Sequence, residues 1–199
     1  KLASLSNNGP DLIYLPEVPF DIETFLKKVK HIYDKKGHAL IAISEGIKDK
    51  EGKYILTYRL FNNNDDFGHL QLGGVGQVIA ETINRELKLP IRSIELNIPQ
   101  RCASHISSLT DIEEAYNCGK KALQFATLNH TGKMIAIKRI SHNPYQITYE
   151  MVDLANVANF VKKVPQNYIT NDGCNITKDF IEYALPLIQK EPLIIYTNG

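Results

Sequence analysis

Short apolar runs alternate with amphipathic stretches along the chain, and this alternation constrains the fold more than any other feature. The apolar runs are residues 11–16 (DLIYLP), 38–46 (HALIAISEG) and 91–97 (IRSIELN). The stretches with apolar side chains at helical spacing are residues 20–37, 72–87 and 110–126. Strands that alternate with helices indicate a mainly parallel sheet with helices on both faces and right-handed connections. We therefore predict a three-layer α/β fold of the Rossmann type.

Local signals predict where these helices begin and end. Asp21 is a suitable N-cap for the first helix, and Gly37 is a suitable C-terminal stop. Phe20 and Phe25 have the spacing of a hydrophobic staple. Thr110 and Glu113 form a capping-box pattern at the start of a later helix.

The remaining segments are predicted from their composition. Residues 47–68 are polar and rich in turn formers, which predicts a surface excursion with a small hairpin. Two strand-like runs flank the sequence SHNP at 141–144, which predicts a β-hairpin. A last helix is predicted over 177–189.

Composition excludes several classes of protein. The 43% of apolar residues and 23% of charged residues are ordinary for a globular chain. With 23 basic and 22 acidic residues there is no basic excess, which predicts no nucleic-acid partner. No apolar run is long enough to span a membrane. The three cysteines are too scattered for a disulfide framework or a metal site, and we expect reduced thiols in the cytoplasm.

The carboxyl ends of the predicted strands carry the candidate binding residues, because ligands of parallel α/β sheets gather at that edge. These ends are Pro16–Glu17, Ser44–Glu45 and Asn97–Arg101. Glu45 has two alternative roles from local sequence. Its carboxylate accepts hydrogen bonds from the hydroxyls of a polar ligand, or it meets solvent or caps the next turn.

Two of the chain's five arginines, Arg92 and Arg101, bracket the predicted third strand. A guanidinium group offers a rigid fork that matches phosphate or carboxylate, so this placement indicates anion recognition. The strand portion alone would separate the two residues by about 16 Å at about 3.3 Å per residue. If they cooperate, we expect Arg92 to reach a site on a neighbouring subunit.

Other motifs give weaker indications. LGGVG at 72–76 lacks the G-x-G-x-x-G order, so it predicts a tight helix start and close packing more than a phosphate loop. His69, His105 and His142 share no metal-like spacing. Cys102 follows Arg101 but has no visible His–Asp partner scheme, so we do not assign it as a nucleophile.

Three stretches together resemble the carboxyl-terminal half of phosphofructokinases, both ATP-dependent and diphosphate-dependent. They are DLIYLPEVPFDIETFL, GHALIAISEG and LGGVGQVIAETINRELKLPIRSIELNIPQRC, with YALPLI near the end as further support. The match runs in order from about Gly9 to Lys138. The resemblance implies that 1–150 is a sugar-phosphate-binding α/β domain and 151–199 a carboxyl-terminal helical extension.

The resemblance also implies roles for the candidate residues. Glu45 would bind hydroxyls of fructose 6-phosphate, and Arg101 would contact the sugar phosphate. Arg92 would cross the subunit interface to the 6-phosphate, so a homodimer or homotetramer is expected. The chain departs from the family pattern at Ile98, where histidine or tyrosine is usual, and at Cys102 and Ala103, where glycines are usual.

The family's motifs for phosphoryl transfer are not found in this sequence. The family carries a glycine-rich loop, a G-G-D motif and a T-I-D-N-D-like motif in its amino-terminal half. The ligands of Mg²⁺ and the catalytic base are therefore expected in an amino-terminal catalytic half outside this sequence. The donor is ATP or diphosphate, with a preference for diphosphate from the overall similarity. The alternatives are a stand-alone, non-catalytic sugar-phosphate or effector-binding module, and an α/β domain that binds no ligand.

The resemblance predicts that the natural polypeptide is longer than these 199 residues. Intact-mass spectrometry of the protein from its source cells should give a mass well above 22.5 kDa. A mass near 22.5 kDa would instead favour the stand-alone module.

Overall fold

The computed structural model describes residues 8–58 and 74–193. The chain divides into two compact units. Unit 1 comprises residues 1–97 and 164–177, and unit 2 comprises residues 98–163 and 178–199. The predictions for residues 59–73, including part of the polar excursion and the first half of LGGVG, lie outside the described residues.

A parallel pair of strands lies at the centre of unit 1. Strand β1 is Leu12–Tyr14 and strand β2 is Ile41–Ile43. Leu12 pairs with Ile41 and Tyr14 pairs with Ile43, so the two strands end level with each other. Their carboxyl ends therefore meet at one edge, as the sequence predicts.

Helix α1, Ile22–Lys36, makes the crossover between these strands. The Asp21 side chain accepts a hydrogen bond from the Thr24 N–H at 2.9 Å, which confirms the predicted N-cap. Gly37 ends the helix at φ +72°, a conformation that glycine adopts without steric cost. The rings of Phe20 and Phe25 lie 5.2 Å apart, which is consistent with the predicted staple.

The core of unit 1 lies between the strand pair and two helices. Helix α2, Val75–Leu87, buries Val75, Ile79, Ala80 and Ile83. The buried cluster that joins α1, α2 and the strands has ten members: Leu12, Phe20, Phe25, Val29, Ile47, Ile55, Val75, Ile79, Ile83 and Cys174. Helical spacing in the sequence therefore identifies the inward faces of both helices.

Residues 164–177 complete unit 1 from a distant part of the sequence. The Ile13 N–H of β1 donates to the Cys174 carbonyl at 2.8 Å. A second buried cluster joins Ile13 and Leu15 of the β1 region to Ile169. The strand pair is thus covered by this segment as well as by the helices.

The predicted third strand, residues 91–97, is wrong: this segment has no strand assignment in the structure. Within the described residues, no strand pairs with it. Ile94 and Leu96 are 78% and 66% exposed, so the apolar alternation that suggested a strand does not correspond to burial against a sheet. A period of two is not sufficient, because a strand also needs a hydrogen-bonding neighbour.

The described residues of unit 2 contain three α-helices and a hairpin. They are α3 (Ile98–Arg101), α4 (Leu109–Thr127), β3 (Lys133–His142), β4 (Tyr145–Asp153) and α5 (Lys178–Ala184). Strands β3 and β4 are antiparallel, which confirms the predicted hairpin. The Asn143–Pro144 peptide bond at its turn is cis. The predicted domain boundary at residue 150 falls inside β4.

The predicted capping box of α4 is wrong. The helix begins at Leu109 with Ser108 as its N-cap, and Ser108 makes no side-chain capping hydrogen bond. Thr110 therefore lies inside the first turn, where its hydroxyl donates to the Pro186 carbonyl at 3.3 Å. The Thr110 hydroxyl thus bonds a carbonyl 76 positions away in sequence instead of capping the helix.

The last helix is shorter than predicted and ends as a different helix type. The α-helical part stops at Ala184, and Leu185–Ile188 continue as a 3₁₀ turn. Pro186 cannot donate a backbone hydrogen bond to the preceding turn, which accounts for the change. Within the described residues, no helix is both long enough and apolar enough to cross a membrane.

Substitution of Phe25 by alanine tests the core of unit 1. Phe25 is 1% exposed and packs among the buried cluster, so F25A should lower the free energy of unfolding by about 3–5 kcal/mol. Urea denaturation of the chain measures this loss. Phe160, which is 72% exposed, provides the matched control, and F160A should stay within about 0.5 kcal/mol. Equal losses in the two variants would contradict this description of the core.

Candidate functional site

The turn that contains Glu45 is fixed by hydrogen bonds of the residues before and after it in the sequence. Before it, the Ser44 N–H donates to the Tyr14 carbonyl at 3.1 Å, which extends the parallel pairing one residue beyond β2. After it, Ile47 is 0% exposed, and its N–H donates to the Ser44 carbonyl at 3.4 Å. The backbone at Glu45 is therefore positioned by the strand pair and by a core side chain.

The Glu45 carboxylate caps helix α2. Its Oε2 accepts a hydrogen bond from the Val75 N–H at 3.3 Å. This N–H is one of the helix's first four, which have no partner inside the helix, and the N-terminal end of a helix favours a negative charge. The sequence alternatives were a ligand contact, exposure to solvent or a cap on the next turn, and a cap on a helix 30 residues away is none of these. Oε1 of Glu45 has no hydrogen-bond partner among the described residues.

Glu17 lies at the same edge, after β1. Its Oε1 accepts a hydrogen bond from the Val164 N–H at 2.9 Å, which attaches the start of the 164–177 segment. Its Oε2 is buried and has no hydrogen-bond partner in the described part of the chain. Pro16 lies against Gly46, where a Cβ would be 3.4 Å from the proline Cβ. Two of the three strand ends singled out by sequence therefore lie beside each other.

The two candidate arginines lie in different units. Arg92 is exposed in the coil that follows α2 in unit 1. Arg101 is the exposed last residue of α3 in unit 2. The sequence predicts that Arg101 follows a strand, but it ends a helical turn instead: the Cys102 N–H donates to the Ile98 carbonyl at 3.0 Å.

A cavity of about 460 Å³ lies on another side of α2. Its apolar lining residues are Phe20, Ile22, Ile55, Val78 and Ile79. None of the three predicted site residues lines it. Arg85, at its rim, is already paired with Glu86 at 2.7 Å. This cavity is therefore not the predicted anion site.

The described residues contain no group of three or more His, Cys, Asp or Glu side chains arranged to hold a metal ion.

Sequence reasoning missed a polar cluster that joins α1 to the 164–177 segment. The Lys28 ammonium lies 2.9 Å from Asp172 Oδ2 and 2.8 Å from Cys174 Sγ. The Cys174 thiol and the Thr170 hydroxyl donate to the same carboxylate, at 2.8 and 2.7 Å. These donors and Lys28 hold the pKa of Asp172 well below its usual range. No local signal links residues 144 positions apart, so only the fold reveals this cluster.

A parallel strand pair with a carboxylate at its carboxyl edge, beside a helix N-terminus, is characteristic of α/β ligand-binding domains. Comparison with known proteins specifies the family. A family model described as Phosphofructokinase matches residues 2–126. The chain belongs to the phosphofructokinase family, and its α/β fold is the one predicted from sequence.

Individual relatives agree with this assignment. The chain is 38% identical over 190 residues to a Pyrophosphate–fructose 6-phosphate 1-phosphotransferase of Halomonas elongata, covering 96% of this chain and 45% of that one. It is 36% identical to a protein of the same name from Xanthomonas campestris, covering 98% of this chain and 47% of that one. The crystal structure of a pyrophosphate-dependent phosphofructokinase from Nitrosospira multiformis matches with a TM-score of 0.75 and 37% identity, covering 94% and 43%. The chain therefore spans about half the length of the relatives it matches.

Asp172 should make the stability of unit 1 sensitive to acid. Because its folded pKa is depressed, its contribution is complete above the unfolded pKa of about 3.9 and is lost as pH falls through the folded value. In D172N this loss should be absent, so the urea midpoint should fall less steeply below about pH 4 than in the wild type. Asp111, exposed on α4, is the control, and D111N should follow the wild-type pH dependence. Identical profiles for wild type and D172N would contradict the assignment.

Proposed function

We propose that this chain is the carboxyl-terminal, sugar-phosphate-binding part of a 6-phosphofructokinase. The complete enzyme would transfer a phosphoryl group from diphosphate to the 1-hydroxyl of fructose 6-phosphate. The observation that carries the proposal is the Glu45 carboxylate, held at the strand edge with one oxygen available, in a chain 38% identical to a relative named for this reaction. Diphosphate is the proposed donor because the relatives described above are named for it, and ATP is the alternative.

Each candidate residue has a distinct role in this proposal. Glu45 accepts hydrogen bonds from sugar hydroxyls, which orients the ring. Arg101 pairs its guanidinium fork with the sugar phosphate, a geometry suited to two parallel hydrogen bonds. Arg92 supplies a second guanidinium to the 6-phosphate of a neighbouring subunit. In-line phosphoryl transfer depends mainly on positioning and on stabilisation of charge, so these contacts contribute by holding the accepting hydroxyl in place.

Several further features belong to the same proposal. The catalytic base and the ligands of Mg²⁺ are assigned to the amino-terminal half that full-length relatives possess. The protein is proposed to work in the cytoplasm as a homodimer or homotetramer, since Arg92 serves a neighbouring site. The division into a sugar-binding part, 1–150, and a carboxyl-terminal extension, 151–199, is likewise retained as a proposal.

A stand-alone, non-catalytic module is the second candidate. It would bind a sugar phosphate through the same residues but would lack the family's G-G-D and T-I-D-N-D-like motifs. The gene decides between the two. A reading frame that continues upstream of Lys1 into those motifs supports the enzyme, and a start codon directly before Lys1 supports the module.

The complete enzyme carrying E45Q tests the role of Glu45. A hydrogen bond to a charged group contributes about 1.5–3 kcal/mol, so the KM for fructose 6-phosphate should rise at least about tenfold. Steady-state kinetics with saturating diphosphate measure this change. E51Q, at an exposed position in the loop after β2, is the matched control and should leave the KM unchanged. An unchanged KM in E45Q would remove Glu45 from the sugar site.

A further inference from the structure

We propose that the first turn of α2, Gly74–Val75–Gly76, is a positioning element. It fixes the Glu45 carboxylate and the backbone segment that carries Arg92 relative to each other. This inference rests on the proposed function, because it concerns two residues assigned there to sugar-phosphate binding. It gives the second half of the LGGVG motif a role other than phosphate binding. Three contacts within unit 1 support it.

The first contact is direct. Val75 is 0% exposed, so the core fixes the helix at its first residue. Its N–H donates to Glu45 Oε2 at 3.3 Å. Gly74, the N-cap residue, makes no side-chain capping hydrogen bond and adopts φ +89°. The carboxylate of Glu45 therefore satisfies one of the free N–H groups at the start of α2, and its orientation depends on where α2 begins.

The second contact connects the segment that carries Arg92. A Cβ on Gly76 would lie 2.6 Å from Ser93 Oγ, which is closer than nonbonded atoms approach. Glycine at 76 therefore permits Ser93 to lie against the helix. Ser93 directly follows Arg92. The contact of Ser93 with α2 therefore places the backbone next to the arginine against this helix.

The third contact extends the same surface. A Cβ on Gly74 would lie 4.0 Å from Glu95 Oε1, which is ordinary contact distance. Ser93 and Glu95 thus both face the first turn of α2. Residues 91–97, which the sequence predicts as a strand, are therefore held by contacts with a helix turn instead of a sheet. Two of the three residues in that turn are glycines.

Substitution of Gly76 by alanine should therefore weaken binding of the sugar phosphate even though it raises the helix propensity of α2. Alanine is a stronger helix former than glycine, so a residue with only a structural role would be stabilised by G76A. Here the added methyl group would lie 2.6 Å from Ser93 Oγ, so the Ser93 side chain must rotate away or the start of α2 must shift. The first change alters the contact between the Arg92 segment and α2, and the second moves Glu45.

The test uses the complete enzyme with four variants: G76A, S93A, the double variant G76A/S93A and the control G119A. G119A places alanine at a helical glycine of α4 where a Cβ would meet nothing within 4 Å. Because small misplacements are costly in an active site, G76A should raise the KM for fructose 6-phosphate about tenfold with a smaller change in kcat. S93A, which removes this contact without adding a clash, should raise the KM by at most about twofold, and G119A should leave it unchanged.

The double variant supplies the specific readout. Removing Ser93 Oγ leaves its Cβ 3.9 Å from a Cβ at position 76, which is ordinary contact. G76A/S93A should therefore restore the KM to within about twofold of the wild type, as expected if the contact is the cause. A raised KM that persists in the double variant would overturn the proposal.

A second pair of variants keeps the test decisive if G76A does not fold. G74A and G37A each place alanine at a helix end with positive φ, +89° and +72°, so both should lose stability through the same backbone strain. Only G74A should raise the KM, because only Gly74 borders the Glu45 contact. Equal KM values for the two variants would overturn the proposal.

Failure of this inference is distinguishable from failure of the proposed function. If E45Q raises the KM and neither G76A nor G74A does, then Glu45 binds the sugar and the α2 turn does not position it. If E45Q leaves the KM unchanged, the proposed function itself is wrong at Glu45, and the positioning role is lost with it.

Discussion

The parallel pairing of β1 with β2 is the constraint on which the rest of unit 1 depends. Two parallel strands need a long crossover, and α1 supplies it, so the helix must lie on the sheet. The level register brings both strand ends to one edge. Glu45 then emerges beside the start of α2, where an unpaired N–H group needs an acceptor. A carboxylate can therefore be held in position without an opposing cation.

The three proposed sugar-binding residues lie on segments that are held in place by different contacts. Glu45 depends on a strand edge and a core isoleucine, whereas Arg92 lies on an exposed coil located by contacts with a helix turn. Arg101 depends on a single helical turn in unit 2. Guanidinium groups on exposed segments are suited to recognising a phosphate that arrives from solvent, and a half-buried carboxylate is suited to orienting hydroxyls.

Local signals predicted those features that depend on neighbours in sequence. The caps of α1 at Asp21 and Gly37 and the β3–β4 hairpin follow from residues a few positions apart, and all three are present. The third strand and the capping box at Thr110 were wrong for a common reason. Residues 91–97 have the apolar alternation of a strand, but within the described residues no strand pairs with them. Thr110 and Glu113 have the spacing of a capping box, but the Thr110 hydroxyl bonds the distant Pro186 carbonyl.

The sequence by itself determined the α/β class, the inward faces of α1 and α2 and the family, because these depend on periodicity and on motif order. Only the tertiary structure decided that Glu45 caps α2, that Gly76 admits Ser93, and that Lys28 meets Asp172. The physical reason is that hydrogen bonds and close contacts act over a few ångströms in space. Residues 30 or 144 positions apart carry no sequence signal of such contacts until the chain has folded.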